Sequence, residues 1–254
     1  MTIRTITPAE QRRLRTLNLA AAALHLAQAV AVVVLATDFA LPITASYLGG
    51  PPGTAPAPAT AVADLPTGIA VAGFLVLSFL AHLIVATGWF RGYLRDLSQQ
   101  INRARWVEYS LSSTLMIVVI AQLVGISDVA ALIGICGANI SMILFGWLQE
   151  KYETAGTGGW LPFVFGCIAG AVPWLAIVYY TIAPGSQAEP PGFVYGIVVS
   201  LFGFFNVFAL NQWLQYRAKG RWADYLFGER AYIVLSLVAK SLLAWQVFGG
   251  TLAA

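Results

Sequence analysis

Charge is what this sequence has least of: 10% of its 254 residues are Asp, Glu, Lys or Arg, against about 25% in an ordinary soluble domain. With 59% hydrophobic residues and a mean hydropathy of +0.75, that scarcity excludes a soluble globular domain. Cysteine is nearly absent too. Cys136 and Cys167 both lie inside apolar runs, which excludes a disulfide framework, and no Cys or His spacing suits a metal. No phosphate loop, nucleophile–base motif or zinc signature is present, so enzyme chemistry has no support. The net charge of +3 is small, and its placement, described below, argues against a nucleic-acid-binding surface. There is no internal repeat, and the apolar runs leave no room for a second domain, so residues 1–254 read as one membrane domain.

What is there is apolar length. A helix needs roughly 20 mostly apolar residues to cross about 30 Å of hydrocarbon. Seven stretches qualify, at about 17–37, 65–90, 106–127, 129–149, 160–183, 192–216 and 231–252, and they predict an all-α bundle of seven transmembrane helices. The polar, basic first sixteen residues precede an apolar run too long for a signal-peptide core, so the first span reads as retained. The Pro/Gly-rich link at about 38–64 reads as a long extramembrane loop with a short hairpin. Every Lys and Arg of the 14 except Lys240 falls on the N-terminal side of the bundle, and the opposite links carry only Asp38, Asp64, Asp128 and Glu189. Basic loops are retained inside, which predicts a cytoplasmic N-terminus and an extracellular C-terminus in the cell membrane.

Within the seven stretches the formally charged side chains are Glu108 and Lys240. Each costs about 2.5–3.5 kcal/mol or more at mid-membrane, so such groups face the interior, pair and mark function. A structural lysine tied to Glu108, or one that snorkels to an interface, is the plain alternative. Snorkelling fits poorly, because Lys240 lies ten residues beyond Arg230, about 15 Å along the helix and near the midplane. Glu108 is shallower, one turn past Arg105, so pairing requires the lysine, or a group attached to it, to reach toward the basic side.

A lysine in the middle of the last of seven helices resembles the plan of the retinal proteins. The third span strengthens the likeness: Arg105-Trp106-Val107-Glu108-Tyr109-Ser110-Leu111-Ser112 matches the microbial-rhodopsin pattern, with Arg105, Glu108 and Ser112 on one face at successive spacings of three and four. The inverted orientation, together with RWVEYSLSSTLMIVVIAQL, SMILFGWLQEKY, PFVFGCIAGAVPW, PGFVYGI and GERAYIVLSLVAKSLLAWQ, resembles the heliorhodopsins from about residue 14 to the C-terminus.

That resemblance implies retinal, all-trans in the dark, attached to Lys240 as a Schiff base with Glu108 as counterion, and a homodimer. Ser236, Ser112, Tyr109, Trp106, Met142 and Phe205 are then expected around the chromophore. His25 and His82 are expected as proton-accepting interior histidines, with Ser78, Asn139, Gln28 and Ser113 extending their network. A satisfied core histidine is the ordinary alternative for each His. Departures from the pump pattern also matter. Ser236 stands where pumps of the bacteriorhodopsin type carry a second carboxylate, Val119 stands at the proton-donor position, and SLFGFFNVFAL lacks the Trp-x-x-Tyr-Pro clamp.

The expected function is light sensing without ion pumping, with an unidentified cytoplasmic signalling partner. A light-driven transporter or channel using histidines is the second reading, and a retinal-free transporter the third. Glu150, at the cytoplasmic end of the fourth span, is expected either to line a cavity or, as the plainer reading, to pair at the surface near Lys151. Gly134, Gly137, Gly166 and Gly170 allow close packing, either within the bundle or between copies.

Overall fold

The computed structural model describes residues 4–182 and 189–253. Seven long helices match the seven stretches: α1 (Pro8–Leu35), α2 (Thr67–Ala86), α4 (Arg103–Leu123), α5 (Val129–Tyr152), α6 (Leu161–Ile182), α7 (Gly192–Arg217) and α8 (Tyr225–Val247). A π-type turn extends α8 to Leu252. Residue 183, the expected end of the fifth stretch, lies outside the described residues. All seven are long and apolar enough to cross a membrane, and the chain is a multi-pass membrane protein.

Each long helix packs on the next in sequence, α2 reaching α4, and α8 returns to α1, which closes the ring. The inner apolar layer includes Phe74, Leu75, Ile117, Ile120, Ile197, Leu201 and Leu243. Val34, Ile182 and Val199, 73%, 72% and 73% exposed, point outward, where lipid rather than water is the favourable neighbour.

Several ends depart from the hydropathy boundaries because helix formation does not stop where charge begins. Thr7 and Glu10 form a capping box ahead of Pro8, so α1 starts nine residues before the apolar run. Asn102 caps α4 through Arg105 N–H, bringing Arg103 and Arg105 into the helix. Asp224 caps α8 through Leu226 N–H, bringing in Glu229 and Arg230.

A further short helix, α3 (Phe90–Ser98), was not among the expected elements. Its Tyr93 and Leu97 are buried against Leu14, Val85 and Leu226, which plugs the basic end of the bundle. Tyr93 lies outside the spans, and burial pushes its phenol above the ordinary value, so it stays neutral. The expected hairpin is present in the link after α1. β1 (Ala40–Ala45) pairs antiparallel with β2 (Thr60–Pro66), and Thr44 N–H donates to Ser127 O at 2.9 Å, fastening the hairpin to the α4–α5 turn.

α7 ends on Ala218 at φ 47°, a left-handed position that glycine occupies without the Cβ penalty. Ala218→Gly therefore raises stability by about 0.5–1 kcal/mol, after allowing for the freer unfolded chain. The check is a higher thermal unfolding midpoint of the detergent-solubilised protein; a lower midpoint refutes it.

Candidate functional site

The two mid-span charges meet. Lys240 Nζ donates to Glu108 Oε1 at 2.6 Å and to Ser236 Oγ at 2.9 Å, with both charged residues buried. The lysine itself spans the depth difference that the sequence implied. Ser78, on α2, donates to the same Glu108 oxygen at 2.6 Å. Glu108 thus holds its charge against one ammonium and one hydroxyl, the pairing that makes a buried ion pair tolerable. The residues come together because Ser236 and Lys240 are one turn apart on α8, while Glu108 and Ser112 are one turn apart on α4.

From Lys240 an almost wholly apolar cavity of about 120 Å³ runs between α4, α5, α6, α7 and α8. All of Ser112, Trp106, Tyr109, Met142, Phe205 and Ser236 line it, as expected from the sequence, and so do Phe208 and Tyr232, which were not expected. Tyr109 is fixed by donating to Tyr232 O at 3.0 Å, and Phe205 stands edge-on to Trp174 at 5.3 Å between centroids. Glycine shapes one wall. A Cβ on Gly146 would run into the Trp106 ring, and one on Gly170 would run into Met142 Sδ, so neither position admits a side chain without moving the cavity wall. Ser112 Oγ is buried and without a hydrogen-bond partner. An amine at the end of an apolar, aromatic-walled slot suits an extended apolar aldehyde such as retinal.

The polar network divides in two. His82 Nδ1 lies 2.8 Å from Asn18 Oδ1, and the His25 ring stacks on His82 at 5.7 Å with both of its own nitrogens unpartnered. Asn139 instead donates to Ser113 Oγ at 2.8 Å and Thr114 Oγ1 at 2.9 Å, a clasp between α4 and α5 that does not reach Glu108. Gln28 must be corrected. It lies at the periphery, where its Oε1 accepts from Trp245 Nε1 at 3.1 Å, because α1 turns that edge away from the interior.

For Glu150 the surface reading is corrected in favour of the interior one. The residue is 3% exposed and accepts from Arg105, Tyr225 Oη, Trp106 Nε1 and Asn102 N–H. Arg105 also pairs with Glu229, and Asn102 Nδ2 donates to Glu229 at 2.7 Å. This buried cation with two carboxylates escaped the sequence reading, since charges at span ends read as loop residues. Glu229 nevertheless precedes Ile233, Ser236 and Lys240 at helical spacing, a stripe that pointed inward. A small cavity of about 40 Å³, room for water, touches His82, Asn18, Arg105, Glu108 and Glu229 and so links the two charged centres.

A family model described as Heliorhodopsin matches residues 14–252. No curated protein matches the sequence. Among solved structures, the chain resembles a light-driven proton pump from Leptosphaeria maculans, with a TM-score of 0.67 and 14% identity over 97% of each chain. It also resembles the transmembrane domain of the Salpingoeca rosetta rhodopsin phosphodiesterase, with a TM-score of 0.66 and 16% identity over 98% of this chain and 90% of that one. For the Exiguobacterium sibiricum rhodopsin the TM-score is 0.63, with 12% identity over 95% and 96%. At such identities the likeness establishes the fold.

Proposed function

Because the chain belongs to the heliorhodopsin family, we propose that it is a light-sensing retinal protein that signals without pumping ions and is not itself an enzyme. The observation that carries this reading is the Lys240–Glu108 pair at the end of an apolar, aromatic-walled cavity. Retinal bound at Lys240, all-trans in the dark, supplies visible absorption and a positive charge on the lysine nitrogen. Glu108 stabilises that charge, and Ser78 and Ser236 orient the pair.

A proton displaced from Nζ has Glu108 as its nearest acceptor, and the polar groups beyond, Asn18, His82, Arg105 and Glu229, all lie toward the basic end. Toward the other end Lys240 is followed by Leu243 and Val247, and Val119 is packed in the same apolar core. Apolar packing there supports a local proton movement over a transmembrane one. Basic residues at one end support the cytoplasmic N-terminus and extracellular C-terminus, and place the response to light on a face open to a cytoplasmic partner. A homodimer is part of the same proposal. Gly166 and Gly170 are used inside the bundle against Phe145 and Met142, whereas Gly134 and Gly137 have open space where a second copy would pack.

His25, with two unpartnered nitrogens stacked on His82, favours a second reading in which histidines carry protons across. Absorbance and ion flux recorded together on retinal-loaded vesicles decide between them. The expected result is a light-driven spectral cycle with no sustained current or pH change; a sustained flux overturns the sensor reading.

A further inference from the structure

The cavity beside Lys240 is walled mostly by apolar and aromatic side chains, yet Gln212 of α7 lines it too. An amide in such a wall costs free energy unless both of its ends are satisfied. Gln212 Nε2 donates to Gly146 O at 2.9 Å, and because a carbonyl can only accept, that bond fixes the amide and turns Oε1 the other way. No donor reaches Oε1 among the described residues. Ser112 Oγ and Tyr232 Oη are likewise without partners, but both are closed off from open surface, and Gln212 Oε1 is not. Other polar groups of the cavity are engaged: Lys240 with Ser236, Tyr109 Oη with Tyr232 O, Ser113 Oγ with Tyr109 O, and Trp106 Nε1 with Glu150.

Gln212 stands at the end of the cavity away from Lys240. Its neighbour Asn211 donates to Gly228 O at 3.2 Å, which sets this part of α7 level with the first turn of α8. Gly228 precedes Lys240 by twelve residues, about 18 Å along the helix. Phe163, in the first turn of α6, lines the same end. Gly146 keeps the corner open, since a Cβ there would lie 3.4 Å from Gln212 Oε1. An extended ligand attached at Lys240 therefore points its far end at aromatic rings and an unfilled acceptor.

We propose that this acceptor makes the cavity selective for a retinoid whose ring carries a hydroxyl, the O–H donating to Gln212 Oε1. An unsubstituted ring leaves the oxygen against hydrocarbon with no donor, whereas a ring hydroxyl fills it, and a site built around such a bond disfavours the analogue that lacks it. The bond to Gly146 O holds the amide in place before the ligand arrives, so little ordering is lost on binding. The proposal rests on the reading of this cavity as a retinal site, and it adds that the far end discriminates by a hydrogen bond as well as by shape.

Retinols test it, because an alcohol forms no imine and ring recognition is then read apart from attachment at Lys240. Quenching of the aromatic fluorescence of the full-length, detergent-solubilised chain is titrated with all-trans-retinol and with all-trans-3-hydroxyretinol. The hydroxylated form binds about tenfold tighter, and in Gln212→Leu the ratio of the two affinities falls to near one. Reading the ratio within each variant removes the effect of losing the bond to Gly146, which weakens both ligands alike. Gln212→Met, nearer to glutamine in shape, is the second variant and gives the same loss of preference. Equal affinities in the unaltered chain, no saturable binding of either retinol, or a preference that survives both substitutions overturns the proposal. All-trans-retinal, added separately, keeps the two readings apart. A visible band with no hydroxyl preference overturns the ring acceptor alone; a hydroxyl preference with no visible band overturns attachment at Lys240 and leaves the acceptor standing.

Discussion

A chain carrying Lys240→Ala and Glu108→Gln together forms no visible absorption band on incubation with retinal, whereas the unaltered chain does. Lys240 supplies the one amine among the residues lining the apolar cavity, and the Gln212 amide and Trp106 indole nitrogens there do not condense with an aldehyde. The double variant is needed because Lys240→Ala alone leaves Glu108 buried without its cation, a loss of about 3–5 kcal/mol that unfolds many proteins. The Glu108→Gln change keeps the volume and the hydrogen bond from Ser78 while removing the charge. Lys240→Arg separates charge from chemistry, since a guanidinium faces Glu108 with a positive charge but forms no imine. Absorption spectra of the reconstituted variants, with circular dichroism to confirm the helices, are the measurements. A visible band of ordinary strength in the double variant, or in Lys240→Arg, sinks the retinal reading.

The centre of this site was legible because lipid makes charge conspicuous. Glu108 and Lys240 interrupt apolar runs, and each needs a partner, so the sequence alone indicates that they meet. The cavity walls followed from the resemblance and from helical spacing: Trp106, Tyr109 and Ser112 share α4, and Ser236 lies one turn before Lys240. Gln28 shows where spacing fails. It lies three residues from the buried His25, yet its amide turns outward to Trp245, a contact between α1 and α8 that spacing within α1 does not encode.

Arg105, Glu150 and Glu229 show a different failure. Hydropathy reads a charge at the end of a span as the start of a loop, and it cannot distinguish a solvated charge from one buried against two counter-charges that are distant in sequence. α3 was hidden by its length, nine residues, although Phe90, Tyr93, Leu94 and Leu97 fall on one face.

The same buried cluster gives the second large expectation. Arg105→Met destabilises the protein by about 3–5 kcal/mol, because it leaves Glu150 and Glu229 facing each other in the interior with no cation between them. Methionine replaces much of the packing volume, so the loss reports charge more than cavity. Glu150→Gln and Glu229→Gln added to Arg105→Met return most of that stability, since the amide oxygen at 150 can still accept from Trp106 Nε1 and Asn102 N–H while its NH2 donates to Tyr225 Oη, and the amide oxygen at 229 accepts from Asn102 Nδ2, none of them carrying charge. Thermal or denaturant unfolding in detergent measures both steps.

The spectrum should move as well. The Arg105 guanidinium lies 4.4 Å from the Trp106 ring centroid and 4.0 Å from that of Tyr232, and both rings line the cavity beside Lys240. A loss below about 1 kcal/mol in Arg105→Met would equal that of a solvated surface pair and refute a dry, buried cluster. A large loss that the two glutamines fail to recover would assign the role to Arg105 stacking on the two rings, and the charge argument would fall.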